Sequence, residues 1–442
     1  MLTAPEDCWT YGYDNSRRHV LPQAVVFPTT HEQVVGVVAT CNRFKVPLTV
    51  RGRGTGTTGA TVPLRGGLIV SLERMNKLVE FSPDNRYIIV EPGMTNQQVQ
   101  DIVKEKGFFW PPDPTSAAFC SIGGNLAYNS AGPRAVKYGT PRENTLGLRA
   151  VTGAGKDIRV GVRTSKGVVG YDLTRLILGS EGTLAIITQA TLKLTPLPEA
   201  TKTLRAIYRT VFDAARAVSA IMSQPVVPCA LEFIDGNAIN MIRQYSTSDL
   251  PEHAGAMLMI EVDGQREGLD TAAEKVAAGA RNDGLLDIRL AQSDAEVKAL
   301  WQTRKALSPA LRKVAPKKIN EDVVVPVTEI PALIEGLDSL SKKYDLPIIN
   351  FGHAGNGNIH VNLLLDPDEP EQGKKAHHCL DEIFSLVLAL NGTLSGEHGV
   401  GLEKRDFVDR ELDANSLELM RDIKRQFDPN GILNPDKMFP LV

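Results

Sequence analysis

The chain has 442 residues, too many for one ordinary hydrophobic core, so two to three domains are expected. Hydrophobic residues make up 42% and charged residues 23%, the balance of a globular protein, and the formal charge of −3 leaves no basic footprint for nucleic acid. Apolar runs fall short of the ~20 residues of a membrane span, and residues 1–7 lack the basic and apolar stretches of a secretory signal. Cys8, Cys41, Cys120, Cys229 and Cys379 are scattered with no C-x-x-C pair, which argues against an iron–sulfur cluster and a redox dithiol. Free thiols in a reducing, cytoplasmic setting are the simpler expectation, with weak peripheral contact to a membrane left open.

Residues 31–44 carry apolar side chains at helical spacing (Val34, Val35, Val37, Val38, Cys41), and 46–50 read as a strand. That strand runs into Arg51-Gly52-Arg53-Gly54-Thr55-Gly56-Thr57-Thr58-Gly59, a loop able to turn its backbone N–H groups toward a phosphate. No helix follows, as a Rossmann fingerprint requires; another strand, 68–72, comes next. The loop is therefore read as a pyrophosphate loop of another nucleotide fold, or as a glycine-rich surface turn. Residues 87–91 read as a strand, and Thr95 caps a helix ended by Gly107. Pro111 to Ser116 is a rigid, proline-rich segment. Ser121 to Gly132 is crowded with small residues, either to let a flat ligand approach or as a tightly packed helix. Gly179-Ser180-Glu181-Gly182-Thr183-Leu184 is a further small-residue turn before a strand, 185–194. Together these segments suit one long groove for an extended dinucleotide such as FAD.

Pro196-Leu197-Pro198 marks a boundary. Beyond it, strands at 229–234, 256–263, 287–291 and 320–326 alternate with helices at 211–223, 266–282, 295–314 and 328–344. This predicts an α+β domain with an antiparallel sheet and helices on one side. Its last strands, 346–351 and 359–365, flank Gly352-His353-Ala354-Gly355-Asn356-Gly357-Asn358-Ile359-His360-Val361-Asn362. His360 and Asn362 share a face of the outgoing strand. Two imidazoles at a strand–turn–strand are half of a metal site. After a helix at 371–390, Ser395-Gly396-Glu397-His398-Gly399-Val400-Gly401 offers a carboxylate and a third imidazole. Spacing alone leaves open satisfied core or surface histidines. A final helix, 415–427, leads to Asp428 through Pro435.

These segments together resemble the FAD-linked dehydrogenases of the vanillyl-alcohol-oxidase superfamily, in the branch holding D-lactate dehydrogenases, D-2-hydroxyglutarate dehydrogenases and the flavin subunit of glycolate oxidase. The resemblance implies an α+β fold: a PCMH-type FAD-binding domain at 17–197, a substrate or cap domain with a helix-covered antiparallel sheet at 198–410, and a C-terminal segment, 411–442, returning to the flavin. It implies that Arg51, Gly52, Arg53, Gly54, Thr55 and Gly56 hold the pyrophosphate. Asp113, Thr115, Ser116, Gly123, Asn125 and Asn129 would line the rest of the cofactor, with Gly182, Ile187 and Asn434. Thr55 stands where some relatives carry the histidine that attaches the flavin, so non-covalent FAD is expected. Many relatives carry Asp at the position of Asn356, which is not a ligand position.

The resemblance also implies a divalent metal, zinc before manganese or iron, on His353, His360 and Glu397. A D-2-hydroxy acid, D-2-hydroxyglutarate or D-lactate, would be oxidised by hydride transfer to flavin N5, with His398 as general base and Asn362 as a substrate partner. Arg304 matches the arginine that clamps the substrate carboxylate in relatives; read without the family, it is a solvated arginine on a long helix. Lys317 or Lys318 would meet a second carboxylate, and Lys318 leans the reading toward the dicarboxylate. No cysteine-rich extension follows residue 442, so electrons are expected to leave to a separate acceptor such as an electron-transfer flavoprotein or a quinone. A homodimer is the expectation from relatives. A glycolate-oxidase-like flavin subunit with little activity alone, and a flavoprotein with a purely structural metal, are the competing readings.

Overall fold

The computed structural model describes residues 1–243, 251, 253–366 and 368–441. It divides into two compact units: residues 1–132, 139–197 and 397–442 form the first, and 133–138 with 198–396 the second.

The first unit holds two main sheets. A three-stranded parallel sheet runs in the order Ala24–Val26, Leu68–Ser71, Leu48–Arg51. A five-stranded antiparallel sheet runs Leu78–Ser82, Tyr87–Val90, Ala185–Lys193, Thr145–Thr152, Asp157–Gly161. The helix His31–Phe44 places Val34, Val38 and Cys41 in one core with Leu48, Val70 and Ile186. A second core gathers Ile88, Val99, Trp110, Leu126, Ile177 and Leu192. Thr95 caps the helix Asn96–Lys104 through a reciprocal capping box with Gln98. The chain between Leu48–Arg51 and Leu68–Ser71 forms no helix, as the sequence requires of a loop outside the Rossmann pattern.

The second unit is a seven-stranded sheet in the order Leu285–Leu290, Ala200–Tyr208, Ala256–Gly264, Ala230–Asp235, Ile348–His353, Asn358–Leu365, Lys317–Val324. Every neighbouring pair is antiparallel. The expected helix at 295–314 is present as Asp294–Val314, capped by Ser293, whose hydroxyl accepts from the Glu296 N–H.

Helices cover both faces of this sheet rather than the one face expected. Ile207 packs with Ile239 and Leu307, from the helices Gly236–Arg243 and Asp294–Val314. Its neighbour Tyr208 points the other way and donates its hydroxyl to the Ala280 carbonyl, at the end of the helix Leu269–Gly279. The reason is legible in the strands: all residues of Ala230–Asp235, Ile348–His353 and Asn358–Leu365 are buried, as happens when both faces are covered. The strand Ala200–Tyr208 and the helix Gly236–Arg243 had not been expected from the sequence.

Candidate flavin cleft and histidine pair

A cleft of about 590 Å3, open solvent included, lies within the first unit. Gly52, Ser121, Gly123, Gly124, Ala127 and Gly182 line it, with Val50, Ile177 and Ile187 as its apolar wall. The small residues are structural necessities. A Cβ on Gly52 would strike the Ser121 hydroxyl, and one on Gly123 would lie 2.7 Å from Pro92. Ser121 is itself in use: its hydroxyl accepts from Gly124 N–H and caps the helix Ile122–Tyr128. The crowded stretch forms the small-residue helix Ile122–Tyr128, and its Gly123, Gly124 and Ala127 line the cleft. A cleft walled largely by backbone and small side chains suits a large planar cofactor.

Of the residues expected to meet the cofactor, Gly52, Gly123, Gly182 and Ile187 line this cleft. Arg51 is buried, donates to the Tyr13 carbonyl at 2.5 Å and lies 5.7 Å from the Tyr11 ring centroid. Arg53 is exposed. Gly54 sits at φ +65°, where a Cβ would run into the Arg51 guanidinium. The Thr55 carbonyl accepts from the Asn15 amide at 3.1 Å, and a Cβ on Gly56 would crowd the Tyr128 hydroxyl. The Asn125 and Asn129 side chains are engaged with Asn96 and with Thr140 and Arg142 respectively. Asp113 is held by its N–H on the Ala131 carbonyl, and Ser116 accepts at its carbonyl from Phe119 and Cys120. Thr115 and Ser116 fall in the turn that follows Pro114. The Asn434 amide donates to the Glu181 carbonyl at 2.7 Å, and its oxygen accepts from Lys437.

Glu181, beside Gly182 in the cleft wall, had not been singled out from the sequence. Its carboxylate accepts from the N–H groups of Val400 and Gly401 at 2.6 and 2.9 Å. Burial pushes its pKa up to about 7 against those donors and the nearby Lys437 and Lys404. Lys437 is pushed down to about 7, chiefly by burial. In the same segment of the first unit, the His398 carbonyl accepts from the Thr58 hydroxyl at 3.2 Å. The Glu397 carboxylate accepts from Gly132 N–H at 2.9 Å and its carbonyl from the Ser130 hydroxyl at 3.2 Å.

In the second unit the strand–turn–strand forms as the glycines dictate. Gly357 turns the chain at φ +74°, where a side chain would strike the Val325 carbonyl. Phe351 then pairs with His360 and Ile349 with Asn362. The His353 and His360 rings meet edge-on, centroids 5.3 Å apart, and each ring offers a nitrogen within 4.8 Å of the other's. Both are buried.

His353 is not simply buried; it is oriented. Its Nδ1 lies 2.6 Å from Glu232 Oε1, on the neighbouring strand. Burial raises the Glu232 carboxyl, but His353 and Arg304 outweigh it and hold its pKa below the ordinary range. The carboxylate therefore accepts from Nδ1–H, an arrangement that in metal sites orients a histidine to ligate through Nε2. Arg304 is buried, not the solvated arginine of the alternative reading. Its Nε donates to Glu232 Oε2 at 2.6 Å, and its guanidinium lies 4.9 Å from the Phe351 ring centroid. Lys318 reaches Ser308, one helical turn beyond Arg304, at 2.7 Å. Asn362 is fully buried, and its amide donates to the Ile349 and His360 carbonyls, both at 3.1 Å.

Asp322, opposite His360 in register, accepts from the Ser395 hydroxyl at 3.2 Å and from Gly396 N–H at 3.0 Å. Gly396 is packed so closely that a Cβ would lie 2.6 Å from the Asn358 amide. Ser395 and Gly396 are thereby tied to the strand Lys317–Val324, and Gly396 packs on Asn358 at the start of the strand that carries His360. Glu232, Ser308 and Asp322 were missed in the sequence. Their neighbourhoods carry little signal: Glu232 shares the strand Ala230–Asp235 with a second acid, and Lys317–Val324 is mostly polar.

Residues 22–161 match the FAD binding domain, and residues 197–438 match the C-terminal domain of FAD linked oxidases. The chain is 38% identical over 430 residues to the glycolate oxidase subunit GlcD of Bacillus subtilis, covering 97% of this chain and 92% of that protein. It is 33% identical to a D-lactate dehydrogenase of Anaerostipes hadrus, over 94% of this chain and 89% of the relative. A D-2-hydroxyglutarate dehydrogenase of Stutzerimonas stutzeri is 31% identical, over 99% and 96%. Among solved structures, p-cresol methylhydroxylase with substrate bound shares the fold at a TM-score of 0.81 and 20% identity, covering 98% of this chain and 92% of that one. The α+β fold with a PCMH-type FAD-binding domain and a C-terminal domain follows from these matches and the sheets described above. The chain belongs to the FAD-linked oxidase family and is an FAD-dependent oxidoreductase.

Proposed function

We propose that the protein oxidises a D-2-hydroxy acid, D-2-hydroxyglutarate or D-lactate, to the 2-oxo acid, with a divalent metal, zinc before manganese or iron, assisting at the histidine pair. The observation that carries this reading is the anchored pair itself: His353 is fixed on Glu232 through Nδ1, His360 stands edge-on beside it, and Arg304 is bound to the same carboxylate. Two imidazoles and one carboxylate, with Glu397 as the third ligand, suit these metals. The chemistry supplied by bound FAD is two-electron acceptance, and that supplied by the metal is Lewis-acid polarisation of the substrate hydroxyl.

The chain's own residues do the rest. Arg304 presents its terminal edge as a fork for the substrate carboxylate, because its Nε is taken by Glu232. His398 receives the hydroxyl proton on its imidazole. Lys318 and Ser308 offer a cation and a hydroxyl for a second carboxylate, which favours the dicarboxylic substrate. Asn362 supports the His360 strand and borders the site. In the first unit, the Arg51–Gly59 loop and the small-residue walls hold the flavin without a covalent bond. In this reading residues 17–197 bind FAD, 198–410 bind substrate, and 411–442 complete the flavin site through Asn434. Electrons pass to a separate acceptor such as an electron-transfer flavoprotein or a quinone, and the protein works in the cytoplasm as a homodimer. Among the described residues no helix is long and apolar enough to cross a membrane.

The test is dye-coupled turnover of the flavin-loaded protein on a panel of chiral 2-hydroxy acids, with and without chelator. Activity on D-2-hydroxyglutarate or D-lactate that chelator abolishes and zinc or manganese restores is the expected result. Failure of every D-2-hydroxy acid to reduce the flavin, with metal present, overturns the reading. A second reading, a flavin subunit of a glycolate-oxidase-like complex with little activity alone, is favoured by relatives that are named as glycolate oxidase subunits. Co-purification with partner subunits, and activity only in their presence, distinguishes it.

A further inference from the structure

Glu232 faces two functional groups at once. It stands on Ala230–Asp235 directly opposite His353, and its side chain is only 1% exposed. One carboxylate oxygen meets His353 Nδ1 and the other meets Arg304 Nε, both at 2.6 Å. Phe351, two residues before His353 on the same strand face, places its ring under the guanidinium, whose carbon lies 4.9 Å from the ring centroid. A carboxylate this buried is costly unless every contact is kept, so neither partner can drift without leaving charge uncompensated. The arginine is thus held at its Nε by Glu232 and beside its guanidinium by the Phe351 ring, which limits the directions its terminal fork can take.

We propose that Glu232 is a positioning residue that joins His353 and Arg304 into one device, so that metal binding and substrate-carboxylate binding act on each other through a single buried carboxylate. This rests on the reading of His353 as a metal ligand and Arg304 as the carboxylate clamp. A cation on Nε2 makes Nδ1–H a stronger donor and fixes Glu232, and with it the guanidinium plane. A carboxylate held by Arg304 draws that cation's charge away from Glu232 and leaves Glu232 more strongly bound to His353. Linkage makes the two effects equal.

The experiment uses the FAD-loaded full chain as wild type, Glu232→Gln, Arg304→Met and the double variant. Zinc affinity is read by competition with a chromogenic chelator. Affinity for the 2-oxo acid product is read from the perturbation of the flavin spectrum at saturating zinc. Glu232→Gln is expected to weaken zinc at least about tenfold and to weaken the 2-oxo acid by a similar factor, with FAD content unchanged. In the Arg304→Met background it is expected to weaken zinc again, yet to change 2-oxo acid affinity by less than about twofold, since the residue it acts through is gone. A merely structural role would weaken the 2-oxo acid equally in both backgrounds, and that result overturns the proposal. So does a zinc affinity within about twofold of wild type in Glu232→Gln. Should Glu232→Gln fail to retain FAD, Glu232→Asp, which keeps the charge but shortens the reach, is measured against the same outcomes. A wild-type protein that binds no zinc refutes the metal reading and the metal arm of the proposal; the 2-oxo acid cycle then still decides whether Glu232 positions Arg304.

Discussion

The flavin cleft and the histidine pair are built in opposite ways. The cleft is made largely by what is missing: Gly52, Gly123, Gly124 and Gly182 keep space open, and few polar side chains define it. The histidine pair is made by what is added: Glu232, Arg304, His353 and His360 crowd one face of a sheet whose strands are buried on both sides. A cofactor with many contacts can be held by shape, and it tolerates the loss of any one polar group. A metal with three protein ligands cannot, so each ligand needs a second residue to aim it. The difference says where single substitutions do most harm.

The sharpest way to break the comparison is His353→Ala. It should abolish zinc binding and lower turnover by about a thousandfold or more, while flavin content stays at the wild-type level, because all of the cleft residues lie in the other unit. Loss of flavin together with the metal would show that the two regions are not separable. The converse change is Gly52→Val. Its side chain would press on the Ser121 hydroxyl that caps Ile122–Tyr128. Overpacking of that kind costs about 1–3 kcal/mol, so flavin affinity should fall roughly tenfold to a hundredfold with zinc affinity unchanged, as fluorescence and chelator titrations would read.

A smaller effect sharpens the account of the ligand loop. Asp322→Asn replaces one acceptor of Ser395 and Gly396 with a donor, just ahead of Glu397. Zinc affinity should fall by about tenfold and flavin content should not change; equal zinc affinity would show that the Ser395–Gly396 anchor does not place Glu397.

The smallest effect concerns stability. Burial raises the Asp235 carboxyl to about 7, against the N–H groups of Ala238 and Asn350. The folded protein keeps this proton up to about pH 7, whereas an unfolded chain releases it near pH 3.9 (about the usual aspartate value). The stability contributed by this group is complete below the unfolded value and is lost as pH rises through the folded one. The melting temperature of wild type minus that of Asp235→Asn should therefore fall by roughly a few degrees between pH 4 and pH 7. A flat difference would show that Asp235 is ionised in the folded protein.

Much of this was legible locally. The capping pair Thr95–Gln98, the turn at Gly357 and the strands on either side of it are short-range events, decided by residues within a few positions of one another. The two histidines were visible for the same reason, since a hairpin register follows from its turn. Helices on both faces of the sheet were less visible, although the apolar run over residues 256–260, at the start of Ala256–Gly264, is their trace. Glu232 was not visible: it lies 121 positions before His353 and 72 before Arg304, and nothing in its own neighbourhood separates it from an ordinary strand acid.

By itself, then, the sequence determined the glycine turns, the helix caps, the candidate ligands and a family resemblance strong enough to name the cofactor. Only the tertiary structure decided that Arg304 is buried on Glu232, that Lys318 meets Ser308, and that the Asn362 amide binds backbone carbonyls. The physical reason is range. Torsional preferences and alternation act between near neighbours. A buried carboxylate must instead find its cations wherever the sheet register and the helix packing bring them, and both are settled by contacts far apart in the chain.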